Sequence, residues 1–274
     1  MPLTLLSVVL VAIRRFKPIA LLTDFGLADH YVSVVKGVVR SISPSTEIID
    51  ITHEVPAFDV RTGAFFLLQA SKYLPGECVV MAAVDPGVNT KRKSIIVQTK
   101  RRVYVGPDNG LLCPAAYNEG IVAVHEIRDG RYLLSSSGTF AGRDIFAPVA
   151  AYISSGTEAN AIGERIDGMV ALELLRAKFT RRSVEGFVLH VDRFGNIITD
   201  VDGDRFHAWR RKTSSFLLQT SKEEVKVSLF ASHQELVGVG LLVGSSGTIE
   251  LSAREGRPWL TMRPGDGFTI RPDI

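Results

Sequence analysis

Two short segments of this 274-residue chain bring together residue types that can do chemistry. One is Asp85-Pro86-Gly87-Val88-Asn89-Thr90-Lys91-Arg92; the other is Gly138-Thr139-Phe140-Ala141-Gly142-Arg143-Asp144-Ile145-Phe146. The apolar run 78–84 reads as a buried strand, and a strand end followed by Pro-Gly is where an α/β fold offers a carboxylate to a ligand crevice. Arg92 lies beyond a tight turn and can return to pair with Asp85. Such a pair keeps the carboxylate ionised and fixes its orientation. Arg143 and Asp144 read as a salt bridge or cap at the head of the helix expected from Ile145.

Several elements must position these residues. The run 18–23 is a short apolar strand ending at Asp24. Val34, Val35, Val38, Val39 and Ile42 fall at helical spacing within 31–43, and Pro44 ends that helix. A strand follows over 47–52. A helix is expected over 59–73, with Asp59 as N-cap. Further strands fall at 77–84, 94–99 and 102–105, and a helix at 145–155. This β-α-β-α-β order predicts an α/β domain with a largely parallel, helix-covered sheet. From about residue 177 the texture changes to short alternating strands at 183–192, 197–201, 215–220, 224–229, 241–243, 248–252 and 267–271. That pattern predicts a small antiparallel barrel or sandwich. The expected organisation is an N-terminal extension (1–17), an α/β domain (18–177) and a C-terminal β domain (178–274), with 158–182 crossing between the domains.

Composition narrows the function classes. A hydrophobic fraction of 46% suits a globular protein with a core. The net charge of +3 is small, and the basic clusters at 91–93, 100–102 and 210–212 carry no interleaved aromatics, so nucleic acid is not an expected partner. Two cysteines in apolar contexts, Cys78 and Cys113, read as reduced buried thiols. The six histidines are scattered without metal-ligand spacing, so no metal site is expected. The apolar run 3–13 is shorter than the roughly 20 residues a bilayer span needs, and its positive charges follow rather than precede it. No membrane partner and a cytoplasmic location are expected. Gly238-Val239-Gly240 is not completed into a dinucleotide fingerprint.

Further motifs extend the pattern: Leu22-Thr23-Asp24-Phe25-Gly26, Asp50-Ile51-Thr52-His53, Pro107-Asp108-Asn109-Gly110-Leu111, Asp192-Arg193-Phe194-Gly195-Asn196 and Gly244-Ser245-Ser246-Gly247. With the two opening segments, and in this order over roughly 18–270, the chain resembles the S-adenosyl-L-methionine hydroxide adenosyltransferases. These are relatives of fluorinating and chlorinating enzymes that attack the same substrate with halide. The resemblance implies substitution at the ribose C5′ by water or hydroxide, giving adenosine and L-methionine, with no cofactor beyond the substrate. It also implies a homotrimer whose sites lie between the first domain of one subunit and the second domain of its neighbour.

The family's hydrolytic members place an Asp, an Arg and a His around the attacking water. Asp85 and Arg92 match the first two, and the His position is Ala141 here. The alternative reading is therefore a catalytically weak or silent S-adenosylmethionine-binding protein. A halide-using variant is disfavoured by Asp85, which those relatives lack and which repels anions.

The resemblance also assigns binding residues. Asp24, otherwise a turn or cap residue, is placed on the ribose hydroxyls, and Asp29 near the ligand. Phe58 is either core packing or an aromatic beside the nucleoside. Asn109 is either a turn residue or a ligand contact. Asp192 and Asn196 suit the ammonium of the methionine tail, and Phe194 suits stacking on adenine. Ser245 and Ser246 sit in a Gly-bracketed turn fit for the tail carboxylate. Relatives often carry Arg at the position of Ser246.

Overall fold

The computed structural model describes residues 16–135, 139–254 and 261–273. Most of the expected extension 1–17 therefore lies outside the described residues, as does Gly138 of the second segment. Lys17 itself is held, its N–H donating to the Ser154 carbonyl at 3.1 Å.

The first half of the chain builds one sheet with helices on both faces. Its elements are β1 (Ile19–Thr23), α1 (Tyr31–Ile42), β2 (Ile48–Thr52), α2 (Val60–Ser71), β3 (Val79–Ala83), β4 (Ser94–Thr99), β5 (Val103–Pro107), α3 (Cys113–Glu119), β6 (Ile121–Ile127), a π-helical turn (Gly142–Phe146), α4 (Ala147–Ser154), α5 (Ala159–Ile162) and β7 (Gly163–Ile166). Strand order is β2-β1-β3-β5-β4-β6-β7. β1 and β3 are buried along their whole length, as continuous apolar runs in the middle of a parallel sheet must be. Their side chains alternate between faces. Ala20, Leu22, Val80 and Ala82 pack with Ala64 and Leu67 of α2; Ile19, Leu21, Val79 and Met81 pack with Val35 and Val39 of α1 and Ala150 of α4.

Pairing is parallel from β2 to β5 and antiparallel from β5 to β7. The short link Lys100-Arg101-Arg102 between β4 and β5 leaves no room for a crossover helix, so that edge must reverse. α2 begins as expected, with Asp59 Oδ1 accepting the Thr62 N–H at 3.0 Å. The helix expected over 145–155 is shorter: Pro148 occupies its first turn, where a missing N–H costs nothing, and the π-helical turn precedes it.

The second half is a barrel. β8 (Lys178–Phe179), β9 (Val184–Val191), β10 (Ile197–Asp202), α6 (Gly203–Arg210), β11 (Ser215–Gln219), β12 (Glu224–Leu229), β13 (Val239–Val243), β14 (Thr248–Ala253) and β15 (Gly267–Pro272) follow in order. The sheet runs β10-β14-β13-β12-β11-β15-β9-β8 and closes through β9–β10. One departure from an antiparallel barrel is the parallel β12–β13 pair. A parallel pair cannot be joined by a tight turn, so the chain between these strands makes a longer connection. α6 packs on the barrel, with Phe206 and Trp209 against Phe216. Both cysteines are buried and unbridged, and burial pushes the Cys78 thiol up to about 11. No helix among the described residues is long and apolar enough to cross a membrane.

Candidate active site

β1 and β3 are neighbours in parallel register, with Thr23 opposite Ala83. Asp24 and Asp85 therefore emerge side by side beyond the carboxyl ends of two central strands, where open α/β sheets form ligand crevices. They line a cavity of about 450 Å³ together with Phe25, Tyr31, Phe58, Phe140, Ala141 and Phe146. Two carboxylates in an aromatic-walled cavity suit a cationic organic ligand.

Asp85 is held at both oxygens. Oδ1 accepts the Gly87 N–H at 3.1 Å, and Oδ2 accepts from Arg92 Nη2 at 2.6 Å. The turn that returns Arg92 has Asn89 at φ +62°, a conformation Asn tolerates better than most residues, and is closed by Thr90 Oγ1 donating to the Gly87 carbonyl at 2.7 Å. Arg92 is fixed in turn. Its Nη1 donates to the Lys93 carbonyl (2.7 Å) and Ser94 Oγ (2.9 Å), and its Cζ stands 5.5 Å from the Phe146 ring centre. Only 6% of the Asp85 side chain and 10% of the Arg92 side chain are exposed.

Asp24 is half-buried, and its Oδ2 accepts the Phe58 N–H at 2.8 Å. Burial raises its carboxyl above the usual range, the nearby negative Asp85 adds to that, and the Phe58 N–H opposes it. Phe58 takes φ +66°, which is uncommon outside glycine, and is 67% exposed. Asp24 thus pins a strained loop that sets an aromatic ring at the cavity's edge. Beneath it runs a polar chain that sequence reasoning did not assign. Thr23 Oγ1 bonds His53 Nδ1 at 2.8 Å, His53 Nε2 bonds Asp50 Oδ1 at 3.2 Å, and Asp50 Oδ2 accepts from Lys36 at 2.6 Å. Thr23 is fully buried, so this Asp-His-Thr arrangement cannot act as a nucleophile. It anchors the start of the Asp24 loop, where the Gly26 N–H donates to the His53 carbonyl at 2.8 Å.

Ala141 is buried at the head of the π-helical turn and lines the cavity with Asp85. The tightness lies next door: a Cβ on Gly142 would meet Phe25 Cζ at 2.8 Å. Phe140 packs edge-on against both Phe25 and Tyr31 at this corner. Arg143 pairs with buried Asp144 at 2.7 Å, the structural role expected of them.

Two of the assigned binding residues, Asp29 and Asn109, line neither this cavity nor the one formed with the barrel. Asp29 is exposed in the loop before α1. Asn109 is consumed locally, Nδ2 donating to the Val84 carbonyl (2.9 Å) and Oδ1 accepting the Leu111 N–H (3.1 Å). It ties the end of β5 to the end of β3, and so supports the Asp85 turn from behind.

Asp192, Phe194, Asn196, Ser245 and Ser246 come together elsewhere, in a cavity of about 970 Å³ between α2 and the barrel. Asp192 Oδ1 accepts the N–H groups of Phe194 (2.9 Å) and Asn196 (2.8 Å), and Oδ2 accepts from Asn196 Nδ2 at 2.9 Å. Gly195 at φ +90° completes this turn and presents Phe194, 76% exposed. Ser246 Oγ bonds Thr248 Oγ1 at 2.8 Å. The two cavities share no lining residue. Among the described residues no group of His, Cys, Asp and Glu could hold a metal ion.

The match to known proteins covers both halves. Residues 19–163 match the SAM hydroxide adenosyltransferase N-terminal domain, and residues 186–266 the C-terminal domain of the same name. A protein from Salinispora tropica named (R)-S-adenosyl-L-methionine hydrolase is 38% identical over 262 residues, covering 92% of this chain and 97% of that one. A protein of the same name from Methanocaldococcus jannaschii is 40% identical over 193 residues, 68% of this chain and 67% of that one. The crystal structure of an uncharacterized conserved protein from Thermotoga maritima superposes with a TM-score of 0.85 at 34% identity, over 92% of this chain and 99% of that one. With its α/β domain and its barrel each matched, in order, to the same two-domain architecture, this chain belongs to the SAM hydroxide adenosyltransferase family.

Proposed function

We propose that this protein hydrolyses S-adenosyl-L-methionine to adenosine and L-methionine, by attack of water on the ribose C5′. The observation that carries the reading is the Asp85–Arg92 pair, buried and aligned at the wall of the aromatic cavity. Water forms the new C5′–O bond as the C5′–S bond breaks. The bonding pair leaves with sulfur, which becomes a neutral thioether, and one proton is released. A sulfonium is already an activated leaving group, so no general acid is needed at sulfur. The demand falls on the water. Water is a far weaker acid than a carboxylic acid, so Asp85 does not deprotonate the water beforehand. It orients the water and takes the proton as the bond forms. Arg92 is a positioning residue that keeps Asp85 charged and aimed.

In this reading Asp24 receives the ribose hydroxyls and Phe58 flanks the nucleoside. Asp192, Asn196, Phe194, Ser245 and Ser246 hold the rest of the ligand. Because these sets line separate cavities, the reading includes a homotrimer in which the first domain of one subunit faces the second domain of the next. Asp29 and Asn109 act, if at all, through the loops they belong to.

Ala141 favours one competing reading, a binder with little turnover. The test is chromatography of purified protein incubated with S-adenosyl-L-methionine of each sulfur configuration, beside Asp85→Ala. Equal amounts of adenosine and methionine, lost in the variant, support hydrolysis. Bound but intact S-adenosyl-L-methionine supports the silent binder. Sedimentation at three times the chain mass is the expected assembly.

A further inference from the structure

The second cavity contains a group that neither the fold nor the proposed chemistry has yet used. Glu250 lies on β14, and its side chain is 8% exposed although it lines the cavity. Its Oε1 is weakly held, by Ser252 Oγ at 3.3 Å and by the exposed His233 Nε2 at 3.5 Å. Its Oε2 lies against the backbone of Gly244, where any Cβ would collide with it, and receives no donor among the described residues. Burial raises the Glu250 carboxyl above the usual range, and the negative charge of Asp192 adds to that, against Ser252 and His233. Arg254 lines the same cavity and makes no ion pair with Glu250. Oε2 is thus left to accept from a ligand, at a cavity wall that also carries Asp192 and the hydroxyls of Ser245 and Ser246.

We infer that Glu250 is a substrate-contacting residue whose Oε2 accepts the α-ammonium group of the substrate's amino-acid end, alongside Asp192. The inference rests on the proposed reading that this substrate is S-adenosyl-L-methionine. An ammonium offers three donors and a positive charge, so it can satisfy both carboxylates at once. A neutral exocyclic amine of a base supplies donors but leaves the second negative charge uncompensated. The hydroxyls of the Gly244–Gly247 turn remain for the α-carboxylate next to it. Gly244 is then required for space: it lets the Glu250 carboxylate lie under the turn that holds the other half of the zwitterion.

Titration calorimetry on the full chain separates this role from a structural one. The probes are S-adenosyl-L-homocysteine, a thioether without an activated leaving group, and its desamino analogue, which keeps the nucleoside and carboxylate but lacks the ammonium. Glu250→Gln is expected to weaken the amino ligand by roughly ten- to a hundredfold, the loss of one charged hydrogen bond. The desamino ligand should bind the variant and the wild type within about twofold of each other. Equal weakening of both ligands would mean that Glu250 only props the turn, and no weakening of either would mean that it touches nothing; each overturns the assignment. Wild type that binds both ligands equally also overturns it. Wild type that binds neither overturns the substrate reading itself, which distinguishes the two failures. If Glu250→Gln does not melt cooperatively, Gly244→Ala serves instead. Its Cβ displaces the carboxylate without removing its charge, and the same selective loss on the amino ligand is expected.

Discussion

Replacing Arg92 by Met removes the cation from the catalytic pair while keeping most of the side chain's bulk. Asp85, 6% exposed at its side chain, then retains only the Gly87 N–H. Stripping one partner from a buried ion pair typically costs about 3–5 kcal/mol. Asp85→Asn in the same chain removes the stranded charge, so the double variant should recover most of the loss. Urea midpoints and slopes at pH 7 for wild type, both single variants and the double variant measure this cycle. Adenosine release should fall by roughly 10²–10³ in Arg92→Met, because the water loses its oriented acceptor. A loss below about 1 kcal/mol at pH 7, as for a surface pair, would refute the reasoning. So would a double variant no more stable than Arg92→Met.

Three other variants probe the same cavity. Ala141→His restores an imidazole beside Asp85 and should raise adenosine formation by roughly 10²–10³ with little change in KM; an unchanged rate in a variant of unchanged melting temperature would show that the position is not where the water is held. Asp24→Asn should leave the ligand-free protein as stable or more stable at pH 7, because burial and Asp85 both disfavour the folded carboxylate, and that advantage should vanish toward the ordinary carboxylate value as pH falls. Nucleoside affinity should drop in the same variant, and a lower melting temperature at pH 7 would count against this account. His53→Leu strands the buried Thr23 hydroxyl and should cost about 1–3 kcal/mol of stability; His53→Asn, which can still bond Thr23, should recover part of it in thermal melts.

The parts of the fold legible in the sequence were those whose burial is uniform or strictly periodic. β1 and β3 read as strands because every residue is buried, and α1 because its valines repeat at helical spacing. Strand direction was not legible beyond β5, because a period of two is the same in parallel and antiparallel pairs; only the shortness of the β4–β5 link reveals the reversal. α3, seven residues long, follows the Leu111-Leu112 pair and has too few turns to display a face. α6 carries only Phe206, Ala208 and Trp209 among polar residues and glycine, too few to mark an apolar helical face in the sequence. In the site, the return of Arg92 to Asp85 followed from the turn chemistry between them. Glu250 was hidden by its own strand: Ile249 and Leu251 face the barrel core, so alternation assigns Glu250 to solvent. It is buried beneath the Gly244 turn and beside Ser252 and His233, a tertiary fact no local pattern carries.

The separation of the two cavities restricts how copies of this chain can meet. Phe58, 67% exposed, lines the first cavity, and Phe194, 76% exposed, lines the second. Large apolar groups at both mouths are better buried than wetted. If the proposed ligand spans from Asp24 to Asp192 and Glu250, the first cavity of one copy must face the second cavity of another. A head-to-tail ring makes this pairing once at every interface, and a two-fold contact, in which the first cavity of each copy meets the second cavity of the other, makes it twice. In the proposed trimer catalytic competence should therefore track assembly. Mixing inactive Asp85→Ala chains with weakly binding Glu250→Gln chains should restore turnover at low substrate concentration, since some interfaces then join an intact first cavity to an intact second one. Two defects in the same site, carried by one chain, would show no recovery on mixing.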